Sequence, residues 1–125
     1  LMVRQSLWDV ASGKWLLMDA DSREVTSSHT DGNEPIQVVS FSPNGEMLAL
    51  GSRDNNIYIY QVGDTPRRYN RIGRCTGHSS FITHLDWSTD SQHLRSNSGD
   101  YEILYWSAGL CRQVTQSSKM RDIEW

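Results

Sequence analysis

Cys75, His78 and His84 stand in the order Cys-x2-His-x5-His, and thiolate and imidazole are ligands that zinc prefers. A structural zinc site needs four donors converging on one point, and this stretch offers three at best. His78 has a better use as a hydrogen-bond partner of Asp100, so no metal site is expected. Ser79, His84 and Asp86 supply the residue types of a hydrolytic triad. No Gly-x-Ser-x-Gly elbow presents a serine for attack, and no Gly-x-Gly-x-x-Gly or Walker loop is present to cradle phosphate. Neither an enzyme, nor a cofactor, nor a small-molecule substrate is expected. Tyr58, Tyr60, Trp87, Tyr101, Tyr105 and Trp106 have the ring types of a stacking platform for single-stranded nucleic acid. Their period-two placement suits a sheet core instead. A net charge of -3 also argues against a partner held by phosphate contacts.

The 125 residues make one ordinary domain at most, and 37% hydrophobic with 22% charged residues is a folding composition. No apolar run approaches the roughly 20 residues of a membrane helix, so no membrane partner is expected. Leu1-Met2-Val3-Arg4-Gln5-Ser6-Leu7 is too short and polar for the apolar region of a secretory signal. Leu rather than Met at position 1 suggests a piece of something larger. Cys75 and Cys111 are the only thiols, too few for a disulfide framework, and the expected compartment is the cytosol.

Organisation emerges on self-comparison. Shifting the chain by 46 residues lays Ile36–Gly45 on Ile82–Ser91 without a gap. The frame continues with Leu48 on Leu94, Ser52 on Ser98, Asp54 on Asp100, Ile57 on Ile103 and Tyr60 on Trp106. A period of this length is the mark of a repeat architecture. Each copy reads as short strands, at 36–41, 46–52, 56–62 and 69–75, then at 82–87, 92–98, 101–106 and 111–116. Ser42-Pro43-Asn44-Gly45 is a turn between the first two, since Pro presets φ and Gly accepts a positive one. No sustained 3.6-residue period occurs, so almost no helix is expected. Lys14–Asp19 and Glu24–Ser28 read as the last strands of an earlier unit, and Arg121–Trp125 as the first strand of a later one.

Gly77-His78, Ser98-Gly99-Asp100 and Trp106 resemble a WD40 repeat, in which His, Ser, Asp and Trp form a hydrogen-bonded tetrad. The resemblance assigns these roles to His78, Ser98, Asp100 and Trp106, with Asp accepting from the imidazole and Ser from the indole. The first copy keeps Ser52 and Asp54 but has Tyr60 for Trp and Gly32 for His, a degenerate tetrad expected to lean on apolar packing. Longer strings, His29–Glu34, Gly77–Ser88, Ser96–Trp106 and Arg121–Trp125, are similar to the echinoderm microtubule-associated protein-like family, and above all to its long tandem-propeller members.

The resemblance implies an all-β fold of WD40-type propeller blades, two complete and four-stranded with partial blades at each end. The expected divisions are an atypical segment 1–11, a partial blade 12–35, blades at 36–76 and 77–118, and the start of another at 119–125. It also implies a non-catalytic, cytoplasmic and cytoskeletal role: contact with tubulin or microtubules and modulation of their assembly. A generic WD40 adaptor fragment, or a short form pairing with another propeller without touching tubulin, is the alternative. Arg67, Arg68, Arg71 and Arg74 form a basic patch suited to tubulin's acidic exterior. The competing reading is an outer strand whose charges deter unwanted strand addition. Two blades leave apolar flanks that neighbouring blades of a larger chain would cover.

Overall fold

The computed structural model describes residues 5–63 and 68–125. Eleven antiparallel strands form three sheets in strict chain order. The first holds β1 (Gln5–Ala11), β2 (Lys14–Asp19) and β3 (Val25–Thr30). The second holds β4 (Ile36–Phe41), β5 (Met47–Ser52), β6 (Ile57–Val62) and β7 (Tyr69–Cys75). The third holds β8 (Ile82–Trp87), β9 (His93–Ser98), β10 (Ile103–Ser107) and the two-residue β11 (Arg112–Gln113). A single 3-10 turn at Ser117–Lys119 is the one helical element among the described residues.

The middle sheet is apolar on both faces because both are covered. Register pairs Leu48 with Tyr60 and Leu50 with Tyr58, and these four pack with Trp15, Leu17 and Ile36 toward the first sheet. One residue out of phase, Ala49 pairs with Ile59, and they pack with Ile57, Ile82, Trp87, Leu94 and Trp106 toward the third. Period-two alternation thus feeds two cores from one pair of strands. At Gly51 the second and third sheets are in close contact: a β-carbon there would stand 2.5 Å from Ile82 Cγ2, and 2.7 Å from Val38 Cγ1 on the neighbouring strand.

The repeat frame extends to backbone conformation. Gly45 and Ser91, which the 46-residue shift superposes, both take a left-handed φ, 75° and 63°. So do Asn55 and Tyr101, at 77° and 68°. That turn conformation delays the third strand of the second copy to Ile103, two residues later than expected. The Asn44 amide donates to Ser91 Oγ at 3.1 Å and the Trp87 indole to the Ser40 carbonyl at 3.1 Å, joining the two copies near their inner strands.

The ends differ from expectation. Backbone at Gln5–Ala11, placed outside the blades from sequence, pairs along β2 as a regular strand. Arg121–Trp125 forms no strand, because no partner strand lies beyond it among the described residues. It folds back instead: Thr89 N donates to Glu124 O at 2.7 Å, and the Trp125 ring lies against Tyr105 with Arg95 above it.

Candidate interface

In the third sheet, alternation turns Leu94, Ser96 and Ser98 of β9 inward, beside Leu104 and Trp106 of β10. The Trp106 indole donates to Ser96 Oγ at 2.8 Å, and His78 Nε2 lies 2.6 Å from the same oxygen. All three side chains are buried. One proton direction satisfies the whole chain: Trp106 donates to Ser96, Ser96 donates to His78 Nε2, and the proton on Nδ1 faces Glu102 Oε1 at 3.5 Å. That last contact is too long for a good hydrogen bond, and Nδ1 is otherwise unpartnered. Burial holds the His78 pKa below the usual histidine value, and the Glu102 carboxylate only partly opposes it.

Ser98 and Asp100 are not in this chain. Ser98 Oγ donates to Asp100 Oδ1, whose oxygen also receives the Glu102 amide at 3.3 Å, and together they close the turn before β10. The bridging serine is Ser96 because Trp106 pairs with Leu94 in register, which sets its indole beside mid-strand rather than the strand's end. Asp100 is exposed at the turn and acts on His78 only through its charge.

The first copy departs from the expectation of mostly apolar packing. Asp31, 0% exposed, accepts from the Trp15 indole at 2.8 Å, the Tyr60 hydroxyl at 2.7 Å and Arg71 Nη1 at 2.8 Å. These donors come from β2, β6 and β7, so one carboxylate ties the first sheet to the second. His29 stacks on Trp15 at 4.6 Å and contacts Ser27 Oγ through Nε2 at 2.5 Å. Burial and the bond to Asp31 push the Tyr60 hydroxyl pKa far up, so it remains a donor. Ser52 and Asp54 close their own turn: Ser52 Oγ accepts the Asp54 amide at 3.1 Å, and Asp54 Oδ2 accepts the Tyr58 hydroxyl. Tyr60 therefore belongs with Asp31, not with Ser52 and Asp54. The signal was present in the sequence. Two buried aromatics with polar atoms, Trp15 and Tyr60, required an acceptor, and Asp31 is the acid beside the Gly32 that replaces His.

The basic patch lies on the outer strand of the middle sheet. Arg68 and Arg74 are exposed; Arg67 lies outside the described residues. Arg71, with its side chain 51% exposed, is turned by Asp31 and lies over the Tyr58 ring at 5.8 Å. Two cations are thus free for a partner and a third is half engaged. His84 is exposed and its Nδ1 lies 3.2 Å from Thr83 Oγ1, while Asp86 pairs with Arg95 at 2.6 Å. Ser79, His84 and Asp86 do not assemble. No three His, Cys, Asp or Glu among the described residues converge to hold a metal ion. Tyr58, Tyr60, Trp87 and Trp106 are core residues, whereas Tyr101 is 92% exposed at its turn.

Comparison with known proteins fits this geometry. The family model described as Echinoderm microtubule-associated protein second beta-propeller matches residues 7–125. Echinoderm microtubule-associated protein-like 2 of Rattus norvegicus is 55% identical over 91% of the chain, and the chain covers 18% of it. Echinoderm microtubule-associated protein-like 1 of Homo sapiens is 56% identical over 91% of the chain, which covers 14% of it. The 77 kDa echinoderm microtubule-associated protein of Lytechinus variegatus is 53% identical over 93%, covering 18%. The chain therefore spans less than a fifth of these relatives. Among solved structures, a chain of the Mitotic Checkpoint Complex superposes with a TM-score of 0.72 at 23% identity, over 87% of this chain and 33% of that one. The Cps50 (Swd1) beta-propeller domain of Myceliophteria thermophila gives 0.74 at 18%, over 88% and 36%. These shared folds make the three sheets blades of an incomplete, unclosed WD40 propeller.

Proposed function

Since the chain belongs to the echinoderm microtubule-associated protein family, within its second β-propeller, we propose that it is a non-catalytic, protein-binding segment that contacts tubulin in the microtubule lattice and modulates its assembly. The observation that carries the reading is the row of arginines along β7 and the residue before it. Arg68 and Arg74 are solvent-exposed, and Arg71 is half exposed and held in orientation by Asp31. An acidic lattice would attract such a row, although each exposed pair is worth only about 0–1 kcal/mol, so the contact is collective and salt-sensitive. The buried node at Asp31 serves it indirectly by tying the first blade to the second, and that at Ser96 by holding the third together. The cytoplasm and its cytoskeleton are the compartment this reading implies.

Co-sedimentation with polymerised tubulin across a salt series tests it. Binding that persists at about 0.15 M salt, where the screening length is about 8 Å, and that weakens severalfold in the Arg68→Glu/Arg74→Glu variant is the expected result. Absence of the chain from the pellet and from free tubulin on gel filtration would sink the reading. A second reading, completion of another propeller without tubulin contact, rests on Val39 and Phe41, which are 38% and 44% exposed on the face that β4 turns toward the first sheet.

A further inference from the structure

We propose that Cys75 and Cys111 form a thiol pair that a hydroperoxide oxidises to a reversible disulfide joining the second and third blades at their outer edges. Nothing in the proposed tubulin contact uses either residue. Cys75 ends β7, buried in the core between these two sheets; Cys111, in the turn between β10 and β11, packs against the same core while remaining partly exposed. The two strands come from different copies of the repeat, so the pair bridges blades.

The approach is close. A β-carbon built on Gly73, two residues before Cys75, would stand 2.9 Å from Cys111 Sγ and 3.4 Å from its Cβ. Only a residue without a side chain leaves Cys111 room against β7. The neighbouring thiols shift each other in opposite directions: Cys111, together with burial, raises the Cys75 pKa, and Cys75 lowers that of Cys111, whose Sγ contacts the Ala108 carbonyl at 3.6 Å. The accessible sulfur is thus the better thiolate and the buried one is the proton-bearing neighbour, the pairing expected of an attacking and a resolving cysteine. Cys111 also holds a left-handed φ of 53° in the turn between β10 and β11.

The chemistry balances. The Cys111 thiolate attacks the hydroperoxide; its sulfur gains an oxygen as the O–O bond breaks, and the departing oxygen takes a proton. The Cys75 sulfur then displaces that oxygen as water, with its own proton, and the S–S bond forms. Two thiols lose two electrons and two protons, and hydrogen peroxide leaves as two waters. A glutathione buffer reverses the bond.

The test is redox equilibration of the 125-residue chain in glutathione buffers, native and in guanidinium, followed by non-reducing tryptic mapping. The expected product is one intramolecular crosslink between peptides 75–95 and 96–112. Its midpoint should lie at a more reducing poise in the native chain than in guanidinium by at least a tenfold change in equilibrium constant, about 30 mV. With hydrogen peroxide, Cys75→Ser should leave Cys111 as a sulfenic acid trapped by dimedone, and Cys111→Ser should leave Cys75 slow to alkylate. Equal midpoints in the two solvents, crosslinks only between chains, or faster alkylation of Cys75 than Cys111 would each overturn the proposal.

Discussion

Asp31 shows how a single buried acid is made tolerable. Its oxygens take an indole, a phenol and a guanidinium, so the charge is both paired and hydrogen-bonded. Replacing it with alanine leaves Trp15 and Tyr60 as buried donors without an acceptor, each costing about 1–3 kcal/mol. Asp31→Ala should therefore speed hydrogen exchange at the Trp15 indole and the β2 amides by about 10- to 100-fold. Arg71→Ala, which removes a half-exposed partner, should change it far less. Histidine provides the second test at this scale. Burial is the main cause holding His78 and His29 below the usual histidine pKa of 6.5. Both are therefore more readily protonated when unfolded. Their contribution to stability is complete above pH 6.5 and is lost as pH falls from there toward the lower folded values. Tryptophan fluorescence followed from pH 7.5 to 5 should show loosening around Trp106 and Trp15, shifted to lower pH by His78→Gln. A flat signal over that range would contradict the assignment.

A strand decides which hydroxyl does what by parity and register alone. Ser96 and Ser98 share the inward face of β9, yet only Ser96 lies level with His78 and the Trp106 indole. Ser96→Ala strips acceptors and donors from two buried rings at once, and should destabilise the third sheet by about 2–4 kcal/mol. Ser98→Ala removes one hydroxyl bond to the exposed Asp100 and should cost about 1 kcal/mol. Amide exchange along β9 and β10 separates the two, and equal effects would restore Ser98 as the bridge. The contrast also marks where reading the sequence stopped. Strand patterning located β4, β7 and β8 at their observed bounds and the tight turn at Gly45, because these depend on local φ preference and on alternation. The WD40 resemblance assigned the bridge to Ser98, where the structure has Ser96, because two small hydroxyls at i and i+2 are indistinguishable until the cross-strand partner of Trp106 is known. Asp31 was missed for a related reason: its donors lie 16 to 40 residues away along the chain, on three different strands. Period-two patterns say which face a side chain takes, not what stands opposite.

At the scale of the whole molecule, the two flanks of the stack are unlike. The outer face of the third sheet carries His84, Asp86, Arg95 and Asn97, and Trp125 folds over Arg95 and Tyr105. It is mostly polar, with Ile103 exposed beside Asn97, and is partly covered. The opposite flank has a step in it, because the first sheet has three strands and the second has four. Val39 and Phe41 pair with Leu50 and Leu48, so they share the face that packs on the first sheet, but they remain 38% and 44% exposed. A fourth strand beside β1 would cover them, and the described first sheet has three. Burying a Val or Phe side chain fully is worth about 1.5–3 kcal/mol, so leaving two open biases the chain toward whatever can cover them. Repeat arrays gain stability chiefly across such interfaces. The 125-residue chain alone should thus associate as its concentration rises, with mass by light scattering exceeding that of a monomer. Val39→Thr with Phe41→Lys should reduce this association without loosening the cores, since neither side chain belongs to the buried clusters on either face of the middle sheet. A monodisperse monomer with a sharp calorimetric transition would mean that three sheets close their own surface. The step at β4 would then need another explanation than a missing neighbour.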